Sequence, residues 1–299
     1  MQKLSKLKSG DTVEIIAPAA RCSDKNLSEL KELLSSWGLN CIVQDDIFGA
    51  DLLCANTDER RFKSLKNALL DPKSKAVICA RGGYGCTRLM TELNKVAPSA
   101  SQKIFIGMSD VTALNLLLLQ KWHWPVIHGA LAPDRFSAES IAAAKSILLG
   151  EIDQIEFSGS PMNTLAEKNA VIETTITGGN LSLLQTSIGT YWQIEGKNKI
   201  ILIEEVGERG YRVDRMLEHL RQIGIFNSAS AIVFGDFIKG DEPDGTSLVQ
   251  PVLKRFAESL TIPVVKIAGI GHDTTNFPIP LGTKAKLTLG EKINLTCVV

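Results

Sequence analysis

Residues 103–112 read KIFIGMSDVT, an apolar run that reaches a glycine and is followed by a serine–aspartate pair. A strongly apolar helical pattern, VTALNLLLLQKW, begins directly behind that pair. Two interpretations of the pair are open. Either Ser109 and Asp110 cap the helix, or Ser109 is a nucleophile on a sharp strand-to-helix turn, for which Gly107 leaves the necessary space. Both interpretations predict a buried strand, a tight turn and a helix.

The same order of strand, loop and helix recurs through the first half of the chain. Short apolar runs within 11–19, 39–44 and 75–85 alternate with stretches that repeat apolar residues at helical spacing. Continuous apolar strands that alternate with helices are typical of a parallel sheet covered on both faces. The sequence therefore predicts an α/β fold, with residues 1–150 forming an N-terminal parallel-sheet domain.

The periodicity weakens over residues 151–172, and this range is interpreted as the junction between two domains. Residues 173–299 then mix helical stretches with short β-like runs such as KIILIEEVG, KAKLTLG and KINLTCVV. This pattern predicts a smaller, mixed β/α C-terminal domain that is rich in strands and has an antiparallel or barrel-like end.

The charge of the chain is balanced, with 33 basic and 33 acidic side chains. No run of five or more like charges occurs, so neither nucleic acid nor an anionic membrane surface is expected as a partner. The first residues show no signal-peptide pattern, and no apolar run approaches the ~20 residues of a membrane helix. A cytoplasmic protein with a small neutral or zwitterionic substrate is expected.

Cysteine and histidine are scattered along the chain. Reduced, partly buried thiols are expected for the six cysteines, because they show no CxxC or Cys/His spacing. Zinc sites need clustered ligands, so no metal ion and no cofactor are expected. The positions are Cys22, Cys41, Cys54, Cys79, Cys86 and Cys297, and His123, His128, His219 and His272.

A glycine-rich loop, ARGGYG at 80–85, follows another buried run. Three glycines in four residues permit positive φ and close backbone approach, so that amide groups can converge on an anion or an oxyanion. The loop matches neither the dinucleotide-binding nor the P-loop pattern. A plain strand–loop turn is the alternative interpretation.

Two further stretches contain groups suited to acyl transfer. Glu204 and Glu205 end an apolar strand and must face opposite sides, so one of them enters crowded surroundings and needs a partner such as histidine. His272 lies in a loop that contains several glycine and proline residues, and a loop position favours a histidine with a functional role. His128 is a second candidate for the functional histidine. Ser109, a glutamate and His272 would form a serine–acid–histidine set. A solvated strand end is the alternative for the glutamates.

Together these stretches resemble the LD-carboxypeptidase family of serine peptidases, which includes murein tetrapeptide carboxypeptidases and microcin-immunity peptidases. Three positions depart from the family pattern: Met108 is usually aromatic, and Ile203-Glu204-Glu205 usually reads Leu-Glu-Asp. The likeness runs nearly end to end, through Ala-Pro at 17–18, TDERR at 57–61, ARGGYG at 80–85, G-x-S-D at 107–110, HG at 128–129, GGNLSLL at 178–184, ILIEEVGE-x-x-YRVDRML at 201–217 and GIGH…PLG at 269–282.

The resemblance implies a Ser-Glu-His hydrolase with Ser109 as nucleophile, Glu204 as acid and His272 as base. It also implies a flavodoxin- or amidotransferase-like α/β domain followed by a smaller β-rich domain, and a homodimer. In the murein branch of the family, the enzyme would remove the terminal D-alanine from a cytoplasmic tetrapeptide during peptidoglycan recycling.

Acyl-transfer chemistry adds further candidates. The backbone N–H groups of Asp110 and of Gly82 or Gly83 are expected to bind the oxyanion. The terminal carboxylate of a peptide substrate needs a cation, although ion pairing with acidic neighbours is the alternative for at least one of the arginines. The candidates for substrate binding are Arg81, Arg212, Arg215 and His128.

Two other functions remain open at this point. A microcin-immunity-type peptidase, which cleaves a peptidyl or aminoacyl nucleotide, would need aromatic side chains to stack on adenine, and Trp122, Trp124 and Trp192 are available. A non-enzymatic protein that binds a small anion would use the ARGGYG loop alone. That alternative predicts that Ser109 and His272 lie far apart.

Overall fold

The structure, a computed structural model, describes residues 3–299. The strands in this range are β1 (Thr12–Ile16), β2 (Asn40–Val43), β3 (Ser74–Cys79), β4 (Ile104–Ile106), β5 (Val126–His128), β6 (Gln154–Pro161), β7 (Ala170–Asn180), β8 (Lys199–Val206), β9 (Ala231–Ile238), β10 (Val264–Lys266), β11 (Ile279–Leu281), β12 (Lys284–Leu289) and β13 (Ile293–Val298). The α-helices are α1 (Asp24–Ser36), α2 (Asp58–Leu70), α3 (Met90–Leu93), α4 (Thr112–Leu117), α5 (Ala138–Leu148), α6 (Leu181–Thr186), α7 (Gly210–Gln222) and α8 (Val249–Glu258).

Six strands form one sheet, in the order β11-β5-β4-β3-β1-β2. Strands β1 to β5 run parallel, and β11 completes the edge antiparallel to β5. Val77 and Phe105 point into a core shared with α2 and α4, whereas Ile78 and Ile104 point into a second core with α1 and α5. Burial on both faces explains the continuous apolar runs. The predicted α/β fold with a parallel sheet is confirmed.

The other seven strands close into a barrel, in the order β10-β6-β13-β12-β7-β8-β9, and β9 pairs with β10 to complete the ring. The pairs that link β10, β6, β13, β12 and β7 are antiparallel. Strands β7 to β10 run parallel, and α6, α7 and α8 follow β7, β8 and β9 along the chain. The second unit is therefore the mixed, barrel-like structure that the short β-like runs predicted.

The predicted junction contains regular structure. Residues 151–172 include β6 and the start of β7, which both belong to the barrel. In β6 only Phe157 is buried, and this explains why the apolar periodicity is weak there. Strand β11 lies in the range assigned to the C-terminal domain but pairs in the first sheet. The domain limits at residues 150 and 172 stay predictions.

None of the helices formed by residues 3–299 is long and apolar enough to cross a membrane. Within the same range, no three or more histidine, cysteine, aspartate or glutamate side chains form a group that could hold a metal ion. All six cysteines are free thiols, and all except the half-buried Cys41 are buried.

Candidate active site

Ser109 lies on the turn between β4 and the helical residues that follow. Its φ is +62°, in the left-handed region that a side chain other than glycine rarely adopts. Met108, in an extended conformation, occupies the cap position of the short helical turn 109–111, and no side-chain hydrogen bond caps that turn. The geometry is that of a sharp strand-to-helix turn with the serine at its apex, and it does not match a capping serine.

Gly107 is required by the packing of this turn. An ideal Cβ at Gly107 would lie 2.4 Å from Cγ1 of Val111 and 3.2 Å from Cβ of Cys79. Real Cβ atoms do not approach another carbon as closely as 2.4 Å. Glycine therefore supplies the space that a sharp turn before Ser109 requires.

The ARGGYG loop lies directly against the serine. An ideal Cβ at Gly82 would lie 2.8 Å from Cβ and 3.2 Å from Oγ of Ser109. Gly83 has a φ of +111°, another left-handed conformation. The buried carboxylate of Asp110 accepts a hydrogen bond from the backbone N–H of Cys86 at 2.7 Å, and so ties the loop to the turn. Burial raises the pKa of Asp110.

Glu204 and His272 form a buried pair. Nδ1 of His272 lies 2.7 Å from Oε2 of Glu204. The exposed fraction of the residue is 7% for His272 and 0% for Glu204. Burial by itself raises the pKa of Glu204, but the charge and hydrogen bond of His272, together with the nearby His128, outweigh it and lower that pKa to about 2. The carboxylate beside the imidazole is therefore ionised at neutral pH.

His128 lies on the other side of the same carboxylate. Its Nε2 is 3.6 Å from Oε1 of Glu204, and the residue is fully buried. Neither ring nitrogen has a hydrogen-bond partner within the described range. The side chain is enclosed and contacts the acid of the site, and a role of His128 in substrate binding stays a prediction.

Glu205 faces away from the histidines, as strand alternation predicted. Its Oε2 accepts hydrogen bonds from the backbone N–H and the hydroxyl of Ser182, at 2.8 and 2.7 Å. Its Oε1 accepts a hydrogen bond from Nδ2 of Asn180 at 3.0 Å. Burial raises the pKa of Glu205. These contacts fix the start of α6, and they separate the environment of Glu205 from that of Glu204.

Asn276 joins the serine turn to the histidine loop. Its Nδ2 donates to Sδ of Met108 at 3.3 Å and to the backbone carbonyl of Gly271. Met108 and Gly271, which directly precede Ser109 and His272, thus share the side-chain amide of Asn276. Within residues 3–299, Ser109 and His272 form no hydrogen bond with each other. Asn276 was not among the predicted site residues, and its place in the loop after His272 is the one signal for it in the sequence.

The three arginines predicted as carboxylate ligands have different surroundings. Arg212 pairs with Glu208, with 3.1 Å between Nη1 and Oε2. Arg215 lies over the ring of Tyr211, 5.4 Å from its centroid. Arg212 is thus paired with a residue just before α7, and Arg215 stacks on a residue within α7. Arg81 belongs to the ARGGYG loop that lies against the serine.

Comparison with known proteins gives the family. The model of the LD-carboxypeptidase N-terminal domain matches residues 13–129, and the model of the C-terminal domain matches residues 173–287. The chain belongs to the LD-carboxypeptidase family. The family resemblance is confirmed, and so is the prediction that the chain is an enzyme of the serine carboxypeptidase class.

Relatives of this LD-carboxypeptidase match it along nearly its whole length. A Rickettsia conorii protein named "Putative carboxypeptidase" is 38% identical, over 95% of this chain and 90% of its own. The "Probable murein peptide carboxypeptidase" of Bacillus subtilis is 30% identical, over 96% and 91%. The crystal structure of muramoyltetrapeptide carboxypeptidase from Oxalobacter formigenes is 29% identical, with a TM-score of 0.82 over 96% of this chain and 99% of its own.

The microcin C7 self immunity protein, solved in complex with aspartyl sulfamoyl adenosine, has a TM-score of 0.83 over 100% of this chain and 99% of its own. At 20% identity, this likeness shows the fold alone. The tryptophans considered for stacking on adenine are packed in the core, although Trp124 also lines a cavity with Leu119, His123 and Pro125. Trp122, Trp124 and Trp192 are all buried in the core, and the first two pack edge to face with their rings 5.0 Å apart.

Proposed function

We propose that this LD-carboxypeptidase removes the terminal D-alanine from murein tetrapeptides through an acyl-enzyme on Ser109, with His272 as the base and Glu204 as the acid. The supporting observation is the strained serine turn that Asn276 links to the loop of a buried Glu204–His272 pair. Two relatives, named a probable murein peptide carboxypeptidase and a muramoyltetrapeptide carboxypeptidase, suggest the substrate class.

In the proposed reaction, His272 takes the proton of Ser109 Oγ while Oγ attacks the scissile carbonyl carbon. Glu204 accepts the Nδ1–H hydrogen bond, which leaves Nε2 for the serine, and its charge stabilises the imidazolium that forms. The imidazolium gives its proton to the nitrogen of the departing D-alanine. A water molecule, deprotonated by His272, then hydrolyses the acyl-enzyme and restores Ser109. Hydrogen bonds between nucleophile and base commonly tighten only when substrate is bound.

The oxyanion of the tetrahedral intermediate needs backbone donors. In this proposal they are the N–H of Asp110, at the start of a helical segment, and the N–H of Gly82 or Gly83 in the adjoining loop. The partial positive charge at a helix start favours an anion there. Loss of one such donor typically costs about 3 kcal/mol of transition-state stabilisation. The contact between Gly82 and Ser109 supports this part of the proposal.

The alternatives are less well supported. Burial leaves little of the three tryptophan rings accessible for stacking on adenine, which counts against a microcin-type substrate. An anion-binding protein without activity is contradicted by membership of the family. The Asn276 contacts, which join the residues before Ser109 and His272, also count against the large separation that this alternative predicted.

Three further proposals concern the molecule as a whole. The strand order β2-β1-β3-β4-β5 supports a flavodoxin-like description of the N-terminal unit. Free thiols support a cytoplasmic location. The homodimer is proposed from the family resemblance.

Mass spectrometry of a disaccharide tetrapeptide, before and after incubation with the protein, tests the proposed reaction. We expect the wild type to release D-alanine and to leave the tripeptide, and Ser109→Ala to remain folded without any turnover. A capping serine would behave differently, because its loss costs about 1 kcal/mol of stability and leaves activity in place. Turnover by a folded Ser109→Ala variant would overturn the nucleophile assignment.

A further inference from the structure

A small cleft beside the candidate site is lined by two arginines. It has a volume of about 220 Å³ and lies between Arg81, in the ARGGYG loop, and Arg135, in the segment after β5. Arg81 directly precedes Gly82, which lies against Ser109. Nη2 of Arg135 donates to the backbone carbonyl of His272 at 3.3 Å. One arginine of the cleft therefore adjoins the glycine that lies against Ser109, and the other contacts the backbone of His272.

Neither arginine has a carboxylate partner within residues 3–299. Nη1 of Arg81 donates to the backbone carbonyl of Arg21 at 3.1 Å. Both arginines therefore donate to uncharged carbonyl groups. Asp134 also lines the cleft, and its Oδ2 accepts a hydrogen bond from Nδ2 of Asn26 at 2.5 Å. Two guanidinium groups and one carboxylate leave the cleft with a net charge of +1, which is complementary to a monoanion.

Two neighbouring arginines of the same unit form ion pairs with carboxylates. Among these arginines, the absence of a carboxylate partner is therefore particular to Arg81 and Arg135 in the cleft. Arg21 pairs with Asp24 at 2.9 Å, and Arg88 pairs with Asp58 at 2.6 Å. The volume of the cleft is also below the ~300–1,000 Å³ of pockets for drug-sized ligands. Its size and charge fit one small amino-acid residue that ends in a carboxylate.

We propose that Arg81 and Arg135 bind the terminal carboxylate of the substrate, so that the cleft receives the departing D-alanine. This inference rests on the proposed function and names the residues that restrict the enzyme to chain ends. The planar guanidinium group binds a carboxylate through two parallel hydrogen bonds. An internal peptide bond would place an uncharged chain there and would desolvate two cations without a counter-charge.

The tetrapeptide and its C-terminal amide, compared as substrates, test the subsite. The wild type should cleave the free acid with a kcat/KM at least about tenfold above that for the amide, as expected for hydrogen bonds to a charged group. Arg81→Gln and Arg135→Gln should raise KM for the acid about tenfold and leave turnover of the amide unchanged. Arg135→Lys should lose less, because it keeps the charge. Arg221→Gln is the matched control, since Arg221 pairs with Glu218 on α7.

The rate of fluorophosphonate labelling distinguishes substrate binding from an effect on the histidine loop. The probe reacts with an activated serine and has no carboxylate, so the wild type and both glutamine variants should label Ser109 at the same rate. Slower labelling of Arg135→Gln would show that Arg135 acts through His272 and would overturn its role in binding. The Arg135→Lys variant should label at the wild-type rate.

Saturation-transfer NMR with N-acetyl-D-alanine and its amide reports binding without catalysis. The acid should bind the wild type in preference to the amide, and Arg81→Gln combined with Arg135→Gln should remove that preference. If the wild type selects the acid but releases no D-alanine from the tetrapeptide, the proposed function fails and the subsite stands. If D-alanine is released and the double variant still prefers the acid, the subsite is wrong and the proposed function stands.

Discussion

Glu204 and Glu205 are neighbours in the chain and both are shielded from water, yet their contacts give them different tasks. Glu204 lies between His272 and His128, whereas Glu205 accepts hydrogen bonds from the backbone and hydroxyl of Ser182. The division follows from strand geometry, because consecutive side chains of β8 project to opposite faces. A single-residue shift of register would exchange the two roles.

Replacement of each glutamate by glutamine should therefore affect different quantities. Glu204→Gln should lower kcat by orders of magnitude, on the order of 10⁴-fold, because an amide cannot stabilise an imidazolium and can hold the wrong tautomer. Glu205→Gln should keep most of kcat and lose about 1–3 kcal/mol of stability, since an amide places donors opposite the donors of Ser182. Steady-state kinetics and urea unfolding of both variants measure these effects. Equal losses of kcat would mean that the glutamates act as a unit.

The residues of the candidate site differ in how far sequence could reveal them. Ser109, Glu204 and His272 each stand in a local context with a chemical signature: a glycine before the serine, a charged end to an apolar strand, and a loop of glycine and proline. Asn276 and Arg135 have no such context. Their contacts with Met108 and with the carbonyl of His272 join residues 168 and 137 positions apart, and only the tertiary fold brings those segments together.

At the scale of elements, the link between β4 and α4 concentrates its strain at one residue. The left-handed φ of Ser109 brings Cβ close to the following carbonyl oxygen, at a cost of roughly 1–2 kcal/mol that glycine does not incur. We expect Ser109→Gly and Ser109→Ala to be equally inactive, with the glycine variant about 1 kcal/mol more stable than the alanine variant. Urea unfolding measures the difference.

Comparison of the glycine variant with the wild type separates strain from capping. If strain dominates, Ser109→Gly should be at least as stable as the wild type, since relief of strain offsets the extra entropy of the unfolded chain. A glycine variant clearly less stable than the wild type would show that the serine hydroxyl stabilises the helix start. The two variants differ from each other by one methyl group, so packing changes little between them.

Elements buried on both faces could be predicted from the sequence, and elements decided by tertiary pairing could not. Strands β3 and β4 appear as unbroken apolar runs because helices cover both of their faces. Strand β6 has one buried side chain, Phe157, and so lacks a clear period. Strand β11 has three residues and contains Pro280, which sequence rules assign to an edge or a loop. Its place in the first sheet depends on pairing with β5.

The whole molecule assembles its candidate site from both halves of the chain. The turn after β4 supplies Ser109, and the barrel strand β8 supplies Glu204. Between the barrel strands β10 and β12, the chain passes through the loop of His272 and then through β11, which aligns Ile279 with His128 at the edge of the first sheet. The pairing of β11 with β5 therefore anchors the histidine loop to the same sheet as β4, the strand that leads into the serine turn.

The two halves should consequently be inactive when separated and active when combined. A fragment of residues 1–150 retains Ser109 but lacks Glu204 and His272, and without β11 it exposes the backbone groups of the β5 edge, which promotes association. We expect size-exclusion chromatography to show aggregated or expanded material and mass spectrometry to show no release of D-alanine.

Refolding of that fragment together with residues 151–299 should restore turnover, because β11 then covers β5 and delivers the histidine loop. The same mixture with Ser109→Ala in the first fragment should stay inactive. Turnover by the 1–150 fragment alone would place every catalytic group in the first half of the chain and would overturn the roles proposed for Glu204 and His272.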